Sequence, residues 1–190
     1  MKRIVSLFIT LCSLATAGAI SFTEQGQASG SLGGTNFTDA LVTIVLIGDT
    51  TTVFTTSGSP GLYQDLGVAT LSVAGIGSAT FTDQMAAFDS QNVDWAGISD
   101  YSHLDEVTLV TINALFGSYA LSSSIGPASG PAFIDSGDSF PTTAGSLILT
   151  SASNSTFTAA TPEPGSIGVV CLGLIWLRWI WRYRDLTTRS

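Results

Sequence analysis

Leu41-Val42-Thr43-Ile44-Val45-Leu46-Ile47, closed by Gly48-Asp49, is the stretch on which the fold turns. Side chains alternate between the two faces of an extended chain. Leu41, Thr43, Val45 and Ile47 therefore share one face, and Val42, Ile44 and Leu46 the other. Both faces are apolar, which predicts a central strand buried between two layers. Gly48-Asp49 then ends it with a turn. Outward from this run, Ala69, Leu71 and Val73 alternate with Thr70 and Ser72, the pattern of a half-buried strand. Gly75, Gly77, Ala79 and Phe81 share one face of the next segment, where the glycines point to a bulge or close packing. Further strands are predicted over 20–24, 29–33, 51–55, 93–98, 107–112, 119–125, 146–150 and 156–158. Leu104, Val107 and Leu115 fall near helical spacing, but Val107 to Ile112 is β-branched almost throughout. A strand is expected there, with a short helical turn around Asp105. Short strands at such regular spacing predict an all-β domain, a β-sandwich or jelly roll.

Charge is distributed unevenly along the 190 residues. The basic residues are Lys2, Arg3, Arg178, Arg182, Arg184 and Arg189, all near the ends. Residues 20–161 hold no Lys or Arg, yet all the acids except Glu163 and Asp185 lie there. Phosphate contact needs cations, so a nucleic-acid partner is excluded for this domain. A site that clamps phosphate or carboxylate through Arg or Lys is excluded with it.

The N-terminus has the layout of a secretory signal over 1–19. Lys2 and Arg3 precede an apolar run from Ile4 to Leu14, and small-x-small sites end at Ala17 and Ala19. Its partners would be the Sec translocon and signal peptidase. Residues 20–150 are read as the exported domain. Residues 151–164, rich in Ser, Thr, Ala and Pro, are read as a linker. An apolar run over 165–181 predicts a single transmembrane helix, and 182–190 a basic cytoplasmic tail. Trp176, Trp179, Trp181 and Tyr183 would form an aromatic belt on the basic side.

Pro162-Glu163-Pro164 closes the linker. Proline fixes φ and lacks an N–H, so this tripeptide is stiff and joins neither helix nor sheet. Pro-Glu-Pro, then the apolar run, then Arg178, Arg182 and Arg184: in this order the C-terminus resembles the PEP-CTERM family of bacterial exported proteins. The resemblance covers about 161–184. It implies sorting by an exosortase, a Gram-negative envelope and, commonly, an exopolysaccharide-producing cell. It departs from the family in Arg178 and in the residues after Arg184.

Cys12 and Cys171 lie in the two terminal segments, so the domain holds neither a disulfide nor thiolate chemistry. The lone histidine, His103, has only Asp105 and Glu106 beside it in sequence, short of a zinc set. No Gly-x-Ser-x-Gly elbow is present in the domain. No catalytic set and no resident metal are therefore expected. Six acids, Asp83, Asp89, Asp94, Asp100, Asp105 and Glu106, cluster in sequence with Trp95 and Tyr101 among them. Aromatic faces stack on sugars and clustered carboxylates suit calcium. Asp94, Trp95, Asp100 and Tyr101 are thus the candidate glycan or cation contacts, with Ca2+ the one ion considered.

The expectation is a non-enzymatic exported protein of the cell surface or matrix, with a structural or interaction role. Membrane anchoring by the C-terminal helix would precede processing. A glycan- or calcium-binding module is the alternative, and a carboxylate-based hydrolase a further one.

Overall fold

The computed structural model describes residues 18–103 and 106–161. They form eleven strands: β1 (Ala19–Leu32), β2 (Thr35–Asp49), β3 (Phe54–Thr55), β4 (Leu62–Val73), β5 (Gly77–Thr80), β6 (Met85–Ser90), β7 (Trp95–Asp100), β8 (Val107–Ile112), β9 (Ile125–Phe133), β10 (Ser139–Phe140) and β11 (Leu147–Ala160). Neighbours run β1-β2-β4-β6-β7-β8-β9-β11, every pair antiparallel, and β11 pairs back onto β1. The result is a closed eight-stranded barrel. β3 and β5 add to β4, and β10 adds to β11.

This corrects the sandwich expectation, and the correction begins at the run that prompted it. Val42, Ile44 and Leu46 are fully buried inside the barrel. On the opposite face Leu41 is 41% and Ile47 56% exposed. The outer face of β2 carries apolar side chains without a second layer on it. Several predicted short strands are also pieces of long ones. Segments 20–24 and 29–33 are both β1, and 146–150 and 156–158 are both β11. Gly26 and Gly30 stand at register shifts within this continuous strand. A side chain at Gly30 would collide with the Ile148 carbonyl across the ladder, so glycine is needed there. The residues read as a linker up to Ala160 are barrel wall. β8 has the expected bounds. The turn expected around Asp105 lies outside the described residues; a 3-10 turn spans Ala114–Ser118, capped by the Asn113 side chain, and Tyr119 and Leu121 carry their side chains into the core instead of forming a strand.

The anchoring expectation is corrected too. Among the described residues no helix is long and apolar enough to cross a membrane. The stretch 165–181, the basic cluster Arg178, Arg182 and Arg184, the tripeptide Pro162-Glu163-Pro164 and residues 1–17 lie outside them. Anchoring by a C-terminal helix therefore has no support in the described fold.

Eight strands enclose a space just wide enough for side chains to fill. Phe157 of β11 sits in it, with ring centroids 6.1 Å from Phe22, 5.6 Å from Phe116 and 6.3 Å from Tyr119. Phe116, Tyr119 and Leu121 come from the β8–β9 connection and reach into the core as a stopper. The Gln91 side chain holds that connection by donating to the Tyr119 carbonyl at 2.6 Å. Tyr119 Oη donates to the Ser123 carbonyl at 2.9 Å, which satisfies its one buried polar atom.

Candidate functional site

The sequence candidates do not converge. Trp95 opens β7 and Asp100 closes it. Five strand steps separate them, about 17 Å. Asp94, in the turn before β7 at φ 57°, lies with Trp95. Tyr101 lies with Asp100. Trp95 is half-buried and stacks on Phe133 with centroids 4.8 Å apart, so part of its face is already covered. Tyr101 meets Phe54 edge-on at 6.0 Å. A single glycan surface made of Asp94, Trp95, Asp100 and Tyr101 is therefore not what the fold builds.

The fold instead brings Asp100 to Asp83 and His103. Met85 pairs with Asp100 on the last rung of the β6–β7 ladder. Asp83 stands two residues before Met85, and the Tyr101 N–H donates to the Gln84 carbonyl at 2.8 Å, tying the two segments together. His103 follows in the β7–β8 turn, whose backbone closes through Asp100 N–H to Glu106 O and Glu106 N–H to His103 O. One ligand atom from each of Asp83, Asp100 and His103 lies within 4.8 Å of the others. Asp100 is buried; one oxygen accepts from the Ser102 N–H at 2.8 Å, and the other lies 3.2 Å from His103 Nδ1. The hydrogen bond to Asp100 and its charge, with Glu106 and Asp83 adding to it, hold the imidazole pKa above its usual value. Sequence reading missed this trio because it looked for partners beside His103. The signal was the hairpin register of Met85–Ser90 against Trp95–Asp100.

Three further acids lie inside the barrel. Glu24 is fully buried on the inward face of β1 with Phe22. Thr111 Oγ1 lies 2.6 Å from Glu24 Oε1 and 2.7 Å from Ser155 Oγ, and the Ser155 hydroxyl is 3.0 Å from the Val110 carbonyl. Burial pushes the Glu24 carboxyl well above the usual range, against the opposing pull of these hydroxyls. Asp89 of β6 is fully buried, and neither of its oxygens has a hydrogen-bond partner among the described residues. Burial, reinforced by the Asp94 charge, pushes it up to about 8. Asp65 of β4 is better held. It accepts from the Asp49 N–H at 2.8 Å and the Thr52 hydroxyl at 2.9 Å, although burial still raises its pKa. Parity would have found Glu24 and Asp89. Glu24 keeps step with Ile20 and Phe22, and Asp89 with Met85 and Ala87.

Glu24 and Asp89 lie among core side chains, where burial favours the protonated carboxyl, whereas Asp65 keeps two donated hydrogen bonds. No protein-family model, curated protein or solved structure matches the chain.

Proposed function

We propose that this is an exported bacterial protein of the cell surface or matrix, processed by an exosortase at Pro162-Glu163-Pro164, whose barrel has a structural or interaction role and no catalytic one. The observation that supports the reading is the extent of the barrel. Its compact unit runs from Gly18 to Thr161, between the small-x-small site ending at Ala17 and the first proline of the tripeptide. The Gly18 carbonyl accepts from the Thr50 N–H at 2.7 Å, and Ala19 pairs with Asp49. Cleavage after Ala17 keeps both contacts, whereas cleavage after Ala19 removes them. At the other end the Thr161 N–H donates to Ser124 Oγ at 3.1 Å. Pro162 has no N–H to extend the ladder. Processing at both places would release the barrel whole.

The test is expression of the full chain in a host with an exosortase and in a matched strain lacking it, followed by intact-mass measurement. A product that starts at Gly18 and loses the residues beyond the tripeptide only when the exosortase is present is expected. Glu163→Ala with Pro164→Ala should leave the C-terminal part attached. Identical masses in the two strains overturn the sorting reading.

A further inference from the structure

We propose that Asp83, Asp100 and His103 form a binding site for a divalent transition-metal ion, with Zn2+ as the probe. The site stands on its own geometry and does not depend on how the protein is sorted. Three donors of mixed chemistry, two carboxylates and one imidazole, come from two chain segments that the β6–β7 ladder fixes side by side. Ligands about 2.0–2.1 Å from a tetrahedral zinc stand about 3.3 Å from one another. The 3.2 Å between Asp100 Oδ2 and His103 Nδ1 has that spacing already. The donation from the Ser102 N–H fixes the other Asp100 oxygen and leaves Oδ2 turned toward the imidazole. Such orientation of a ligating carboxylate by a backbone donor is what a metal ligand needs.

Charge supports the same occupant. Asp100 is buried, Asp83 and Glu106 stand close by, and residues 20–161 contain no Lys or Arg to neutralise them. The imidazole selects the class of ion. Calcium prefers an all-oxygen shell of six to eight ligands, whereas zinc and its neighbours take nitrogen with carboxylate at low coordination number. The His103 side chain is 58% exposed, so an ion can enter from solvent and water can complete its shell. In the free protein the same Nδ1 lies 3.2 Å from Asp100 Oδ2, and protonation of the imidazole occupies the atom that a metal would take. Metal and proton therefore compete for one atom.

His103 is the chain's only histidine, so its ring resonances report on the site without ambiguity. The metal-stripped full chain is titrated with zinc chloride and followed by proton NMR and calorimetry. One ion per chain, displaced or broadened His103 ring signals, and a raised Tm are expected. His103→Ala and Asp83→Asn should each weaken binding by roughly tenfold or more, with the far-UV spectrum and the Tm in chelator unchanged. Both residues are partly exposed, so neither substitution opens the core. Ring signals that stay still at millimolar zinc overturn the proposal, as does zinc bound with no change at His103. Unaltered affinity in Asp83→Asn overturns it too. Calcium chloride that competes as strongly as zinc would mean the imidazole is not a ligand, and that also overturns it.

Discussion

The Glu24 carboxyl and the Thr111 hydroxyl meet at 2.6 Å inside the barrel, from strands 87 residues apart in sequence. A hydroxyl has one proton, and Thr111 has two neighbours to satisfy. If Ser155 donates to the Val110 carbonyl and Thr111 donates to Ser155, the bond to Glu24 is made by the acid's own proton. All three bonds then hold together, and no charge is buried. An ionised Glu24 in the same place would leave Oε2 charged and without a partner.

A neutral Glu24 makes Glu24→Gln a mild change. The amide has nearly the same shape and supplies an N–H to Thr111. Its Tm at pH 7 should equal or exceed that of the parent. Glu24→Ala removes the partner of Thr111 and leaves a hole, at a cost of about 2–4 kcal/mol. Equal losses in the two variants, measured by denaturant unfolding, would refute the neutral carboxyl.

Stability should fall as pH rises from about 5 to 8. Glu24, Asp65 and Asp89 all have pKa values raised in the folded chain. Their contribution is fully present below the unfolded carboxylate pKa values near 4. Above that pH the unfolded chain sheds protons that the barrel retains, and stability drops by at most about 1.4 kcal/mol per pH unit for each group. For Asp89 the window closes at about 8. Asp49, lowered by its bonds to Thr51, acts in the opposite sense, and only in acid. Asp89→Asn should flatten the profile of Tm against pH. A parent Tm that climbs between pH 5 and 8 contradicts this.

Leu46 and Ile47 are sequence neighbours on opposite sides of the barrel wall. Leu46 is fully buried and Ile47 is 56% exposed, paired with the exposed Val68. Ile47→Thr should change stability by no more than about 0.5 kcal/mol. Leu46→Ala should cost about 2–5 kcal/mol. A two-layer sandwich would make both substitutions costly, so urea midpoints for the pair separate the two architectures.

Phe157 touches aromatic rings from β1 and from the β8–β9 stopper. Phe157→Ala should cost about 3–5 kcal/mol. The loss should reach beyond β11, raising amide exchange in residues 114–121 as well. Exchange changes confined to β11 would show that the stopper is held independently of Phe157.

The all-β class was legible in the sequence, as were the shared faces Val42-Ile44-Leu46 and Ala69-Leu71-Val73, because alternation reads directly as a face; which face of β2 points inward was not. Nor was closure. Whether Leu41 and Ile47 meet water or a second sheet depends on partners far along the chain, and their hydrophobicity is the same in either case. The glycines were ambiguous for a related reason. Gly26 and Gly30 permit a turn, but here they permit backbones to approach within one strand pair. The acids between Asp83 and Glu106 were visible as a cluster in sequence. Strand direction then sends Asp94 to one end of β7, Asp100 to the other and Asp89 into the interior, a sorting that only register determines.

The pairing of β1 with β11 also sets the order of folding events. The first strand of the unit completes its inner ladder only with the last, Ser21 opposite Ala160. A chain emerging from its N-terminus can form the hairpins from β1 to β9 as it appears, yet the ring stays open until residue 160 is free. Contacts between the extremes of a chain are the slow ones. A chain available only as far as β9 therefore holds an open sheet, and the barrel closes when residues 147–160 are there to pair with β1.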